Sequence, residues 1–359
     1  MARLSLLDPT KTGKQAQDLE HKLRGLIVGQ EEAIKEIVGA YQSYLTGLSP
    51  AYRPIANFLF LGPTGSGKTR VVEATAEALL NDSQAVIKID CAEFQHGHEI
   101  AKLIGSPPGY LGHRETSALL SQQALNRHHT DKVKISLVLF DEIEKASDAL
   151  WNLLLGILDK GVLTLGDNRK VDFSASMVFL TSNLGAEELS SLSNPRLGFH
   201  SPTAADAEFD AKSVARMSRI GVAAARRKFT PEFVNRLDRI VTFKPLGSEE
   251  LRRIVDIELE MVMERIQEAV TDGSFAMTVN DDAREFLLSE GTDSRYGARH
   301  LKRAIERFLV QPLSNLLASG QIRRGDSIRV SHRDSSSALM FFREAAEMES
   351  WRVAGPIAA

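Results

Sequence analysis

The run Gly62-Pro63-Thr64-Gly65-Ser66-Gly67-Lys68-Thr69 holds the residue types that a phosphate chain requires. Its glycines let successive backbone N–H groups turn toward phosphate oxygens. Lys68 can reach the β- and γ-phosphates, and Thr69 offers a hydroxyl to Mg²⁺. A helix starting at Lys68 would add the positive end of its dipole. A second cluster, Asp141-Glu142, closes the apolar run Leu137-Val138-Leu139-Phe140. A buried strand there delivers two carboxylates at its C-terminal end, where ligands bind in open α/β sheets. Asp141 can hold Mg²⁺, directly or through water, and Glu142 can accept a proton from an attacking water. The two clusters together predict a site for ATP and Mg²⁺ and the hydrolysis of the nucleotide.

Other polar residues are less decisive alone. Asn183 follows the apolar strand 176–182, which in a sheet ordered around the phosphate loop would lie between the two halves of the site. Its amide could orient a water, although an Asn before Leu184-Gly185 also reads as a turn former. Arg236 and Arg239, in the stretch from Phe229 to Arg239, and Arg299, after Tyr296-Gly297-Ala298, each read in isolation as surface ion-pair residues. Gly105-Ser106-Pro107-Pro108-Gly109-Tyr110-Leu111-Gly112 excludes helix and strand and presents one aromatic on a loop.

Strands over 56–61, 85–90, 136–141, 176–182 and 239–243 alternate with helices over 68–80, 117–126, 147–158 and 211–228. Alternation with apolar strands predicts an α/β parallel sheet covered on both faces. Val162–Leu165 and Arg169–Phe173 around Gly166-Asp167-Asn168 predict a hairpin. A helix over 30–48 precedes the first strand, and 190–210 reads as a loop. After Pro245-Leu246-Gly247, Ser248 can cap a long helix. Further helices at 282–289 and 300–317 and short strands at 275–279 and 326–330 predict a second, smaller and mainly helical domain. The expected divisions are an N-terminal segment 1–26, a large domain 27–246, a small domain 247–331 and a tail 332–359 with a helix over 338–349.

Composition narrows the partners. With 44 basic and 47 acidic residues the net charge is −3, which argues against nucleic acid as a partner. No apolar run approaches the roughly 18 residues of a membrane span, so no membrane partner is expected. The single cysteine, Cys91, allows no internal disulfide and no cysteine-based zinc site. The start is too soon acidic for a signal peptide, and a cytoplasmic location is expected.

Taken in order, Ile27-Val28-Gly29-Gln30, the phosphate loop, Asp141-Glu142-Ile143-Glu144-Lys145-Ala146, Thr181-Ser182-Asn183-Leu184-Gly185, Pro231-Glu232-Phe233-Val234-Asn235-Arg236 and Tyr296-Gly297-Ala298-Arg299 resemble the AAA+ module of the Clp unfoldases, above all the second ATPase ring of ClpB and ClpA. The resemblance implies a three-layer P-loop domain with a C-terminal lid. It implies that Ile27 and Val28 line an adenine pocket and that Asn183 senses the γ-phosphate. Arg236 matches a finger reaching the neighbouring subunit's ATP, and Arg299 a second sensor. Gly109-Tyr110-Leu111-Gly112 matches a loop that grips polypeptide in the channel of a homo-hexamer. The implied function is ATP-driven unfolding or remodelling of unfolded or tagged proteins. The alternative is a nucleotide-dependent assembly switch that threads nothing. Leu197-Gly198-Phe199 resembles the tripeptide that docks Clp ATPases on a ClpP-like peptidase. The chain departs from the family in running His113-Arg114-Glu115-Thr116 after the gripping loop. It also shows one ATPase module with no coiled-coil middle domain, so a single-ring module is expected rather than a direct analogue of two-ring disaggregation.

Overall fold

The computed structural model describes residues 7–8, 10–106, 118–186, 206–269, 275–292, 298–323, 325–333 and 336–344. The chain divides into two compact units, Met1–Leu246 and Gly247–Ala359.

The first unit opens with α1 (Lys14–Leu26) and α2 (Glu31–Leu45). Then come β1 (Ala56–Leu61), α3 (Lys68–Leu80), β2 (Ile87–Asp90), the short α4 (Ala101–Ile104) and α5 (Gln122–Asn126), and β3 (Ser136–Asp141). After α6 (Asp148–Lys160), β4 (Val162–Thr164) and β5 (Lys170–Asp172) form the predicted hairpin, and β6 (Ser176–Ser182) follows. The unit ends with α7 (Asp206–Lys228), α8 (Pro231–Val234) and β7 (Arg239–Thr242).

Five parallel strands lie in the order β2-β3-β6-β1-β7. The central strands β1 and β6 are buried along their whole length. Their side chains alternate between two cores, as a pleated strand requires. Phe58, Phe60, Leu139 and Phe179 face α1, α2 and α3, whereas Leu59, Leu61, Val138, Phe140 and Leu180 face α6 and the hairpin. Phe58 stacks on Phe179 at 5.0 Å, and Phe60 meets Phe243 at 4.9 Å. The result is the expected three-layer α/β/α arrangement.

Some local expectations need correction. Residues 14–26, expected in a separate N-terminal segment, are not set apart from this unit: Ala16, Leu19 and Leu23 of α1 are buried in its core. The helix expected over 117–126 is confined to Gln122–Asn126, with the Ser121 hydroxyl accepting from Ala124 N–H at 3.2 Å. Just ahead, Leu119 and Leu120 donate to the carbonyls of Lys102 and Leu103, and Leu120 is buried, so that stretch is held in another path. The helix α7 begins at Asp206, inside the stretch read as a loop.

The second unit holds α9 (Ser248–Ala269), β8 (Ala276–Val279), α10 (Asp281–Gly291), α11 (Ala298–Ile305), α12 (Gln311–Ala318), β9 (Ser327–Ser331) and β10 (Met340–Glu344). Glu250 reaches back to accept from Gly247 N–H at 3.1 Å, so the cap of α9 lies at Gly247 rather than Ser248. A three-stranded sheet, β10-β9-β8, supplements the helices. Its edge overturns the expected tail helix: 340–344 is a strand, antiparallel to β9 with Phe341 opposite Val330. The Ala, Glu and Met content of 338–349 favours helix locally. Pairing with β9 and burial of Leu339 override that preference. The Arg343–Asp326 pair at 3.1 Å adds a side-chain tie across the hairpin. Among the described residues no helix is long and apolar enough to cross a membrane.

Candidate nucleotide site

The phosphate loop joins the C-terminal end of β1 to α3. Gly62 and Gly67 show why it needs glycine. A Cβ on Gly62 would stand 2.8 Å from the Phe243 carbonyl oxygen, and Gly67 has φ +97 in open space. The first forbids a side chain by contact and the second by backbone conformation.

Lys68 is buried, and its ammonium donates to Gly62 O (2.7 Å), Pro63 O (2.9 Å) and Asn183 Oδ1 (2.8 Å). The other amide group of Asn183 donates to Glu142 Oε1 at 3.2 Å. Asn183 therefore bridges the lysine of the phosphate loop and the second acidic residue. Strand order explains this, because β6 lies between β1 and β3. Asn183 also closes a turn, since Ala186 N–H donates to its carbonyl at 3.1 Å. The turn reading therefore holds, and the amide lies between the two halves of the site.

Asp141 ends β3 beside Thr69, whose hydroxyl lies 3.4 Å from Asp141 Oδ2. Asp141 also accepts from the Thr181 hydroxyl, and that same hydroxyl accepts from Glu142 N–H at 3.1 Å. Glu142 has φ 55, a left-handed conformation unusual for a residue other than glycine. Backbone in that region is costly and persists where its surroundings determine it. Here Thr181 holds the Glu142 amide, and the Lys145 ammonium binds its carboxylate. That bond to Glu142 holds Lys145 above the usual lysine range. Glu144 accepts from Asn183 N–H at 3.1 Å, so the turn after β3 also holds the backbone of the bridging residue.

Sequence reading passed over Thr181, Glu144 and Gln30 as contributors. Thr181 and Glu144 lie inside the motif segments, but both bond to residues about 40 positions away, which sequence spacing does not reveal. Cys91 lies behind the acidic residues and is fully buried. Burial pushes its thiol well up, and the charges of Asp141, Asp90, Glu144 and Glu142 add to the effect. The thiol therefore stays protonated through neutral and mildly alkaline pH. We expect iodoacetamide at pH 8 to label Cys91 in the folded protein at least roughly a hundredfold more slowly than in denaturant. Equal rates in the two conditions, read by mass spectrometry, would place Cys91 outside the core.

Ile27 and Val28 are both buried, and Ile27 caps α1 by donating to Leu23 O at 2.8 Å. Gln30, two residues on, donates to Ser66 O at 3.1 Å and so ties their segment to the phosphate loop. Arg236 follows α8, which is seated by an aromatic cluster of Trp151, Phe229 and Phe233. Its Nε stands 3.0 Å from Asp159 Oδ1, an ion contact without the alignment of a hydrogen bond. Its carbonyl accepts from the Asn57 side chain at 3.1 Å. Asn57 is near the start of β1, and the phosphate loop begins beyond its end. With about 3.3 Å of rise per residue, Asn57, and with it the Arg236 carbonyl, lies roughly 15–20 Å from the loop, toward the opposite end of the strand. Arg239 starts β7 opposite Phe58, toward that same end of the strands, and pairs with Glu36 at 2.5 Å. Arg299 is the second residue of α11, exposed, in the second unit. Gly109, Tyr110, Leu111 and Gly112 lie outside the described residues, as do Leu197, Gly198 and Phe199.

A phosphate loop after β1, an acidic pair after β3 and a polar amide on the strand between them define a P-loop nucleotide-binding module. The chain belongs to the AAA domain family (Cdc48 subfamily), which matches residues 53–240, and the C-terminal, D2-small domain of ClpB protein matches 246–330. It is 39% identical over 312 residues to the chaperone protein ClpB of Rhizobium meliloti strain 1021, covering 87% of this chain and 33% of that protein. It is 38% identical over 323 residues to the chaperone protein ClpB of Bdellovibrio bacteriovorus, covering 90% of this chain and 34% of that one. The chain thus spans about a third of the length of these curated relatives. A solved structure, the closed-state cryo-EM reconstruction of Hsp104 with ATPγS and FITC casein, matches with a TM-score of 0.73 at 29% identity, over 92% of this chain and 52% of that one. The Clp resemblance read from the motifs is borne out.

Proposed function

We propose that this chain is an ATPase that works in a ring, most simply a homo-hexamer, and uses hydrolysis to unfold or remodel protein substrates by threading. The observation that carries the hydrolysis reading is the Asn183 bridge, with Lys68 at 2.8 Å on one side and Glu142 at 3.2 Å on the other. In this reading a phosphate-binding cation and a base flank one amide that can orient water. Lys68 binds the phosphates, Asn183 positions the attacking water, and Glu142 takes its proton. Ile27 and Val28 take the apolar face of adenine.

The side-chain oxygens of Thr69 and Asp141, 3.4 Å apart, fit Mg²⁺, which takes few protein oxygens and completes its shell with substrate and water. When bound, the ion neutralises charge on the β- and γ-phosphates. The closed-state Hsp104 relative was imaged with ATPγS and casein, which supports a nucleotide and a polypeptide as ligands here. A ClpP-like partner rests on Leu197-Gly198-Phe199 alone and stays outside this reading, as does a cytoplasmic location beyond the lack of a spanning helix among the described residues.

Tyr110 separates threading from the assembly-switch alternative. Tyr110→Ala is expected to keep ATP binding, assembly and basal phosphate release while losing ATP-dependent unfolding of a fluorescent substrate. Each subunit loses an aromatic contact of about 1 kcal/mol, and the subunits lose it together. Tyr110→Phe is expected to unfold the substrate nearly as the unaltered chain does. Unfolding by Tyr110→Ala at the unaltered rate would favour the switch.

A further inference from the structure

Gln30 carries a buried side chain, 4% exposed, that the hydrolysis chemistry leaves without a task. A buried amide is unfavourable unless its donors and acceptor are satisfied. Those of Gln30 are satisfied by backbone from two distant places. Nε2 donates to Ser66 O at 3.1 Å and to Lys244 O at 2.9 Å, and Oε1 accepts from Lys244 N–H at 3.2 Å. The side chain thus pairs with both polar groups of Lys244, as a neighbouring strand would, while holding the far side of the phosphate loop.

A second contact joins the same two segments. At the near side of the loop, Gly62 packs so closely on Phe243 that a Cβ would lie 2.8 Å from its carbonyl oxygen. Phe243 N–H donates to Leu61 O at 2.7 Å. Both sides of the phosphate loop are therefore fastened to residues 243–244. The first unit ends at Leu246, so this is the segment by which the chain leaves the nucleotide-binding unit.

We infer that Gln30 is a positioning residue that couples the phosphate loop to the exit segment 244–247, so that a backbone shift at Ser66 on phosphate binding is passed to Lys244. The inference rests on the nucleotide-site reading above. A glutamine is suited to this task by chemistry as well as by length. Glutamate would keep the acceptor for Lys244 N–H and lose both donations. Asparagine would fall one methylene short. Methionine would keep the volume and make none of the bonds.

The test is hydrogen–deuterium exchange of the full chain with and without ATPγS, in the unaltered protein and in Gln30→Met. In the unaltered protein, nucleotide is expected to slow exchange at both 62–69 and 244–247, the latter by roughly tenfold, the effect of about one stabilised hydrogen bond. In Gln30→Met, 62–69 should still respond while the response at 244–247 falls below about twofold. Gln30→Asn should show the same split, which keeps the test decisive if Gln30→Met fails to fold. An unchanged response at 244–247 in either folded variant, with 62–69 protected, overturns the coupling alone. No protection at 62–69 in the unaltered protein removes the nucleotide site, and the coupling with it.

Discussion

Glu142→Gln is expected to reduce ATP turnover by a factor on the order of 10²–10⁴, the usual contribution of a positioned general base. ATP affinity should stay within about twofold of the unaltered chain, because the substitution removes basicity rather than shape. The structure favours a clean result. Asn183 Nδ2 donates to Glu142 Oε1 at 3.2 Å, and the oxygen of a glutamine amide can accept the same bond. The Thr181 hydroxyl holds the backbone amide of residue 142, and the substitution leaves that bond alone while it weakens the ion pair with the exposed Lys145. Lys68→Ala should behave in the opposite way. It removes the ammonium that touches Gly62 O, Pro63 O and Asn183, so it disturbs the loop as well as the phosphate contact, and binding itself should weaken. Titration with a fluorescent ATP analogue, beside a phosphate-release assay, separates the two. Turnover by Glu142→Gln within a factor of about ten of the unaltered rate would take Glu142 out of the base role.

The parts of this site that were legible in the sequence are those that local chemistry specifies. The glycines and Lys68 identify a phosphate loop because few other tasks need them together. Strands such as 56–61 are legible because burial on both faces makes them continuously apolar. Strand order is not written locally, and it decides which residues meet. Asn183 reads both as a turn former and as a water-orienting amide, and only the place of β6 between β1 and β3 sets it beside Lys68 and Glu142. Gln30 was legible as part of a motif segment but not in its bonding, since its partners are backbone atoms 36 and 214 residues away. Backbone partners leave no trace in residue type. The strand at Met340–Glu344 was misread for the converse reason: its local composition favours helix, and only its place beside β9 makes it a strand.

Arg236→Ala is expected to lower ATP turnover by a factor on the order of 10³, at the low end of the range for arginine fingers, and to act on neighbouring subunits rather than its own. The geometry within one subunit motivates this. Arg236 is bonded through its carbonyl to Asn57, near the N-terminal end of β1, while the phosphate loop leaves the C-terminal end. The intervening length, about 15–20 Å, is longer than an arginine side chain can span. Arg236 therefore cannot complete the site of its own chain, although its guanidinium is partly exposed and paired to Asp159. In the ring proposed above, a second copy would bring it to a phosphate. Specific activity should then rise cooperatively with protein concentration, as subunits assemble. Arg236→Ala subunits mixed into unaltered protein should depress activity by more than their share. Arg236→Lys should not restore it, because a lysine lacks the planar fork that spreads charge over phosphate oxygens. Sedimentation measured beside phosphate release provides the check. A monomer whose specific activity is constant with dilution, or mixed subunits whose activities simply average, would rule out a shared site and leave Arg236 with its ion pair alone.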